Sequence, residues 1–174
     1  MHLLTLKWLA SVIMWAAGSL FQCSAWSQTL LAKPSGPVIL TVSGSIASVN
    51  HEGKAQLDAA MIDALPVHVI TTKTPWYKQA TTFSGPRLSE VLSVLGAKGA
   101  TLEIKALNDY TVSVPFADAA TFQPILARRM DSKVLNIRDK GPLFLVYPFD
   151  ARPELKNDIY YSRSIWQISS IVVR

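Results

Sequence analysis

The sequence predicts one α+β domain of mixed short strands with about two main helices. Three observations carry that expectation. Runs of alternating or continuous β-branched and apolar residues recur between Gly, Pro, Asn and Asp, as in Val38–Gly44, Thr101–Leu107 and Leu143–Tyr147. Two other stretches carry apolar residues at helical spacing. No internal repeat, low-complexity tract or second core-forming region interrupts the pattern, so the elements fold around one core. At 174 residues, 49% apolar and 17% charged, the chain has enough apolar content to bury such a core and is not of disordered composition.

Taken in order, Met1 to Lys7 is a short, weakly basic start, and Trp8 to Phe21 is almost uninterrupted apolar sequence. Small residues follow in Cys23-Ser24-Ala25-Trp26-Ser27, so residues 1–25 read as a secretory signal cleaved after Ala25 or Ser27. A retained anchor is the competing reading, but the run is shorter than the roughly 20 residues a span needs. Gln22 before Cys23 argues against a lipid anchor, which wants a small residue there. Residues 26–37, with Pro34, Gly36 and Pro37, read as an unstructured leader, and the domain is expected over 38–174.

Within the domain, Val38–Gly44 alternates as a strand and Asn50 and Gly53 mark turns. Ala55 to Leu65 has a stripe of Leu57, Met61, Ile62 and Leu65 and is expected to be a helix ended by Pro66. Val67–Thr72 reads as a strand, and Lys73–Ser84 as a loop rich in aromatics. Pro86 starts the second helix, capped by Ser84, with Leu88, Val91, Leu92 and Leu95 inward and Gly96 as its stop. Thr101–Leu107 and Tyr110–Val114 form a strand pair turning at Asn108-Asp109. Ala117–Thr121 reads as a helical turn, the segments flanking Asp131-Ser132 as a hairpin, and Leu143–Tyr147 as a buried strand. Phe149–Asp158 is expected to be a loop and Ile165–Val173 the last strand.

The chemistry-bearing residues exclude several functions. With the signal removed, no cysteine remains, so neither a disulfide nor a thiolate is expected. His51 and His68 are far apart and lack the closely spaced partners of a zinc site. No G-x-S-x-G elbow and no phosphate-binding glycine loop occurs. The net charge of +5 is scattered, Arg128-Arg129 being the only basic doublet, so nucleic acid is not an expected partner. What remains is aromatic and polar residues in expected loops: Trp76 and Tyr77, Asp109 and Tyr110, and Tyr160, Tyr161, Arg163 and Trp166. A flat heteroaromatic ligand needs such groups, because aromatic faces stack on its ring and a carboxylate accepts two parallel hydrogen bonds from an amidine-type edge. The alternative is that these aromatics line the rim of the core and Arg163 caps a carbonyl.

Four stretches in this order, Thr71–Trp76, Phe83–Leu92, Asn108–Tyr110 and Gly141–Pro148, resemble the sulfite-oxidase-type molybdopterin-binding domain family. The resemblance spans about residues 38 to 173. It implies the sulfite-oxidase fold and, in the family's enzymes, a molybdenum-pyranopterin cofactor whose metal is held by a cysteine thiolate shortly before the tryptophan. Here Thr71 and Thr72 stand in that region, and the single cysteine is Cys23. A hydroxyl is a poor substitute for a soft sulfur ligand.

In length, export signal, missing cysteine and the Tyr160-x-x-Arg163-x-x-Trp166 tail, the chain is similar to a small periplasmic, cysteine-less, pterin-binding branch of that family. That similarity implies a non-enzymatic ligand sensor acting on the periplasmic domain of a membrane-bound GGDEF/EAL protein in cyclic-di-GMP signalling. The site residues it implies are Trp76, Phe83, Asp109, Tyr110, Tyr160 and Arg163. Trp76 or a nearby tyrosine would stack on the pterin, Asp109 would take the ring's amino edge, and Arg163 its oxygen or side chain. The ligand expected is a pterin, with molybdopterin the less favoured form. Two other functions stay open: a molybdopterin-dependent oxidoreductase holding its cofactor without a protein thiolate, and an interaction module with a vestigial pocket.

Overall fold

The computed structural model of the chain describes residues 29–174, so the expected signal over 1–25 and Cys23 lie outside the described residues. β1 (Thr29–Leu30) opens the described chain and β2 (Val38–Gly44) follows, alternation turning Leu40 and Val42 into the core. β3 (Ser48–Val49) runs parallel to β1. β4 (Ala55–Asp58) runs antiparallel to β2, with Leu57 opposite Leu40 and Ala55 opposite Val42.

The segment read as a leader is therefore tied to the domain from Thr29 onward. Leu31 N–H donates to the Val49 carbonyl at 3.0 Å. Asp58 Oδ2 accepts from the backbone N–H of Ser35 at 2.7 Å and of Gly36 at 2.8 Å.

The same Asp58 explains why the expected helix over Ala55–Leu65 is only half a helix. Its Oδ1 accepts from Met61 N–H at 2.9 Å, a side-chain cap that starts α1 (Ala59–Asp63) after four residues of strand. Ala55 and Leu57 are buried at a spacing of two, which suits a strand; Met61, Ile62 and Leu65 then continue the same apolar face in the helix. These hydrogen bonds, led by the one from Met61, lower the Asp58 pKa to about 2.

β5 (His68–Thr72) pairs antiparallel with β6 (Thr81–Gly85), so the end of the expected loop is strand, and Ser84 is a strand residue. The cap of α2 (Leu88–Val94) is supplied instead by Glu90, whose Oε2 accepts from Arg87 N–H at 3.0 Å. Leu88, Val91, Leu92 and Leu95 are buried as expected, and Gly96 ends the helix at a φ of 59°.

β7 (Thr101–Ala106) and β8 (Thr111–Pro115) form the expected pair around Asn108-Asp109. α3 (Asp118–Thr121) is the helical turn, followed by β9 (Ile125–Ala127). β10 (Arg129–Met130) and β11 (Lys133–Val134) make the hairpin across Asp131-Ser132, both of which have positive φ. β12 (Phe144–Val146) pairs with β9. The expected loop after it carries a 3₁₀ turn at Pro153–Leu155, and α4 (Asp158–Arg163), which is not among the expected elements, follows. β13 (Ile168–Val173) ends the fold, so among the described residues there are four short α-helices, not two.

The main sheet has the order β4-β2-β13-β7-β8, with β13 parallel to β2 and the other pairs antiparallel. Its inward face, α2 and the tail from Leu143 to Leu155 enclose the principal core. A second cluster of Phe83, Ile125, Ala127, Leu135, Phe144 and Val146 lies under the β11-β10-β6-β5 sheet. Each large aliphatic or aromatic side chain fully buried in these clusters contributes roughly 1.5–3 kcal/mol. Trp76 packs against both clusters, which places the loop after β5 at their junction.

Candidate functional site

The junction is hollow. A cavity of about 570 Å³ is walled by three elements: Pro75 and Trp76 from the loop after β5, Ala106, Asn108 and Tyr110 from the β7–β8 turn, and Asp158, Tyr161, Ser162, Ser164, Ile165 and Trp166 from α4 and the residues after it. That volume falls within the 300–1,000 Å³ usual for small-molecule sites.

Local sequence sets each wall. Asn157 caps α4 by accepting from Ile159 N–H at 3.0 Å and Tyr160 N–H at 3.4 Å. Asp158, Tyr161, Ser162 and Ile165 then follow at helical spacing along the face toward the cavity. The serine hydroxyls are turned inward: Ser162 Oγ donates to the Ile159 carbonyl at 2.8 Å and Ser164 Oγ to that of Tyr160 at 2.9 Å. The Trp76 ring meets Trp166 at 5.6 Å and Tyr161 at 6.2 Å, both edge to face. Lys140 Nζ stands 4.1 Å from the Trp166 ring centre and holds that indole by a cation–π contact.

Of the six residues implied by the resemblance, Trp76 and Tyr110 line this cavity. The other four are outside its lining, each for a visible reason. Phe83 is fully buried in the second cluster, edge to face with Phe144 at 5.6 Å. Asp109 has a φ of 68° at the turn, and its carboxylate folds back to Lys105 Nζ at 2.7 Å, which lowers its pKa.

Tyr160 and Arg163 face away from the cavity, across α4. There Asp118 Oδ2 accepts from Arg163 Nη1 and from Tyr147 Oη, both at 2.9 Å. Tyr160 stacks edge to face with Tyr147 at 5.5 Å and Phe122 at 5.2 Å, and the Arg163 guanidinium lies 5.0 Å from its ring centre. Burial, together with the Asp118 charge, pushes the Tyr147 hydroxyl far above its ordinary pKa, so it donates at every physiological pH. This cluster holds α4 in place, and the cavity wall with it.

The polar lining residues that sequence reasoning did not assign, tyrosine aside, are Asn108, Asp158, Ser162 and Ser164, while Tyr161 and Trp166 appeared there only as members of an aromatic cluster. The signal was present in Asn157-Asp158, a cap followed by an acidic first turn, with Asp158, Tyr161 and Ile165 spaced for one helical face.

In the stretch that resembles the cysteine-bearing region, the hydroxyls of Thr71 and Thr72 are already in use, while the buried Thr74 Oγ1 has no hydrogen-bond partner among the described residues. Thr71 is exposed, its Oγ1 2.9 Å from Thr82 Oγ1. Thr72 is fully buried, and its Oγ1 accepts from Asp150 N–H at 3.0 Å. Asp150 Oδ2 in turn accepts from Lys73 N–H at 2.8 Å, with Lys156 Nζ 2.6 Å from Oδ1, and these contacts hold its carboxyl below its usual range. Among the described residues no group of three His, Cys, Asp or Glu is gathered for a metal ion. The residues present do not fit a thiolate-held metal. They do fit a flat ring, for which the cavity supplies aromatic walls, an amide and a carboxylate.

No protein-family model and no curated protein matches the chain. Among solved structures, the sulfane dehydrogenase SoxCD from Paracoccus pantotrophus matches with a TM-score of 0.58 and 15% identity over 77% of this chain. The match spans 37% of that chain's length. At that identity the likeness is one of fold, a mixed arrangement of several sheets and short helices.

Proposed function

We propose that the cavity between the β5–β6 loop, the β7–β8 turn and α4 binds a pterin, and that the protein is a periplasmic pterin-binding sensor rather than an enzyme. One observation carries the reading: four aromatic residues, Trp76, Tyr110, Tyr161 and Trp166, converge on a cavity of ligand size beside one carboxylate and one amide. The resemblance in sequence to molybdopterin-binding domains supports it, as does a fold shared with a chain of a sulfane dehydrogenase. In this reading the ring stacks against the tryptophan pair. The carboxylate that accepts from the amino edge is Asp158, which takes the role expected of Asp109. Occupancy fixes α4 and the β7–β8 turn against each other, and that surface is what the periplasmic domain of a membrane GGDEF/EAL protein reads.

Titration of purified protein with a simple pterin, followed by quenching of tryptophan emission, tests the reading. One-to-one saturable quenching that Trp166→Phe or Asn108→Ala weakens supports it; no saturable binding by any pterin refutes it. The shared fold with an oxidoreductase chain favours a second reading, a molybdopterin-dependent oxidoreductase without a protein thiolate. Stoichiometric molybdenum in protein from a cofactor-competent host decides for that reading.

A further inference from the structure

The lining of the cavity carries a single formal charge, that of Asp158. Its carboxylate has no hydrogen-bond or ion-pair partner among the described residues, whereas two cations adjoining the walls are ion-paired. Arg163 is paired with Asp118 at 2.9 Å and Lys105 with Asp109 at 2.7 Å. Lys140 stands over the Trp166 ring at 4.1 Å and is not among the lining residues. The serine hydroxyls donate to backbone carbonyls and are not free to donate to an anion.

We infer that Asp158 makes the cavity a charge filter, which admits flat amino-heterocycles that are neutral or cationic and rejects those bearing a phosphate or carboxylate substituent. This rests on the proposed pterin site. An amino-heterocycle gives the carboxylate the donors it lacks, and a charge-assisted pair of hydrogen bonds is worth more than two neutral ones. An anionic substituent finds no cation in the lining, and it meets a like charge near the protein surface, where repulsion is several times that in bulk water. Folate-type ligands with a carboxylate tail and pterin phosphate esters are both excluded on this ground.

The test compares two probes with the same ring, pterin and pterin-6-carboxylate, titrated calorimetrically into wild type, Asp158→Asn and Asp158→Glu. Wild type is expected to hold pterin at least about tenfold more tightly than pterin-6-carboxylate. Asp158→Asn should weaken the edge contact that both probes share and shrink the gap between them to within about threefold by removing the like charge, and Asp158→Glu should keep the gap. Asp158 is exposed and unpartnered, so the unfolding midpoint of Asp158→Asn is expected to equal that of wild type. If pterin binds but the ratio is near one, or is unchanged in Asp158→Asn, the filter is wrong and the pterin site stands. If neither probe binds wild type, both fall.

Discussion

Replacing Arg163 with methionine removes one of the two hydrogen bonds that Asp118 Oδ2 receives and leaves Tyr147 Oη as the other. The Asp118 side chain is 7% exposed and that of Arg163 20%. Breaking a fully buried pair from one side costs about 3–5 kcal/mol, because the surviving charge is left uncompensated. Here the tyrosine remains and water can enter where the guanidinium was partly exposed, so the expected loss is about 2–3 kcal/mol. For a domain of this size that is a fall of roughly 4–12 °C in the unfolding midpoint. Asp118→Asn made in the same background removes the stranded charge, and the double variant should be at least about 1 kcal/mol more stable than the sum of the singles predicts. Urea unfolding by tryptophan emission, run beside a pterin titration, reads both effects. Stability within about 0.5 kcal/mol of wild type, together with a large loss of pterin affinity in Arg163→Met and in Arg163→Lys alike, would refute the lock and make Arg163 a ligand contact.

Three more outcomes follow from the geometry. Asp58 has a folded pKa near 2 against an ordinary 3.8, so its contribution is complete above about pH 4 and is lost as pH falls toward 2; thermal midpoints between pH 2 and 6 should drop on the acid side, and Asp58→Asn should flatten that drop. A Cβ at Gly85 would run into the Leu126 carbonyl of β9, so Gly85→Ala must push β6 and β9 apart and is expected to cost about 1–3 kcal/mol or more, measured by urea unfolding. Asn157→Ala removes the cap of α4 and should cost about 1 kcal/mol. Because that helix carries Asp158 and Tyr161, the same variant should weaken pterin binding, whereas the equally costly loss of a cap far from the cavity should not.

Most of the strand pattern was legible because alternation survives wherever one sheet face is buried, as at Leu40 and Val42 or Leu102 and Ile104. The misreadings lie where tertiary partners decide. Ala55–Leu65 carries an apolar stripe that suits a strand continued into a helix, and the choice rests on Asp58 reaching Ser35, Gly36 and Met61. Ser84 has the chemistry of a cap, but pairing with Val69 and Arg129 keeps it in a strand.

At the site, Trp76 and Tyr110 were legible as loop aromatics. Arg163 and Tyr160 were not separable from Asp158 and Tyr161 without knowing that α4 is helical, since rotation about that axis decides which residues face the cavity. Asp109 could not be assigned from type alone, because Lys105, four residues earlier, takes its carboxylate.

The most direct measurement begins with protein purified from a host that makes molybdenum cofactor. The protein is denatured, the released small molecules are identified by fluorescence and mass, and molybdenum is assayed in the same sample. The account predicts a simple pterin without an anionic substituent, near one per chain, and no stoichiometric metal. A dithiolene pterin with one molybdenum per chain would contradict it and turn the search to redox substrates.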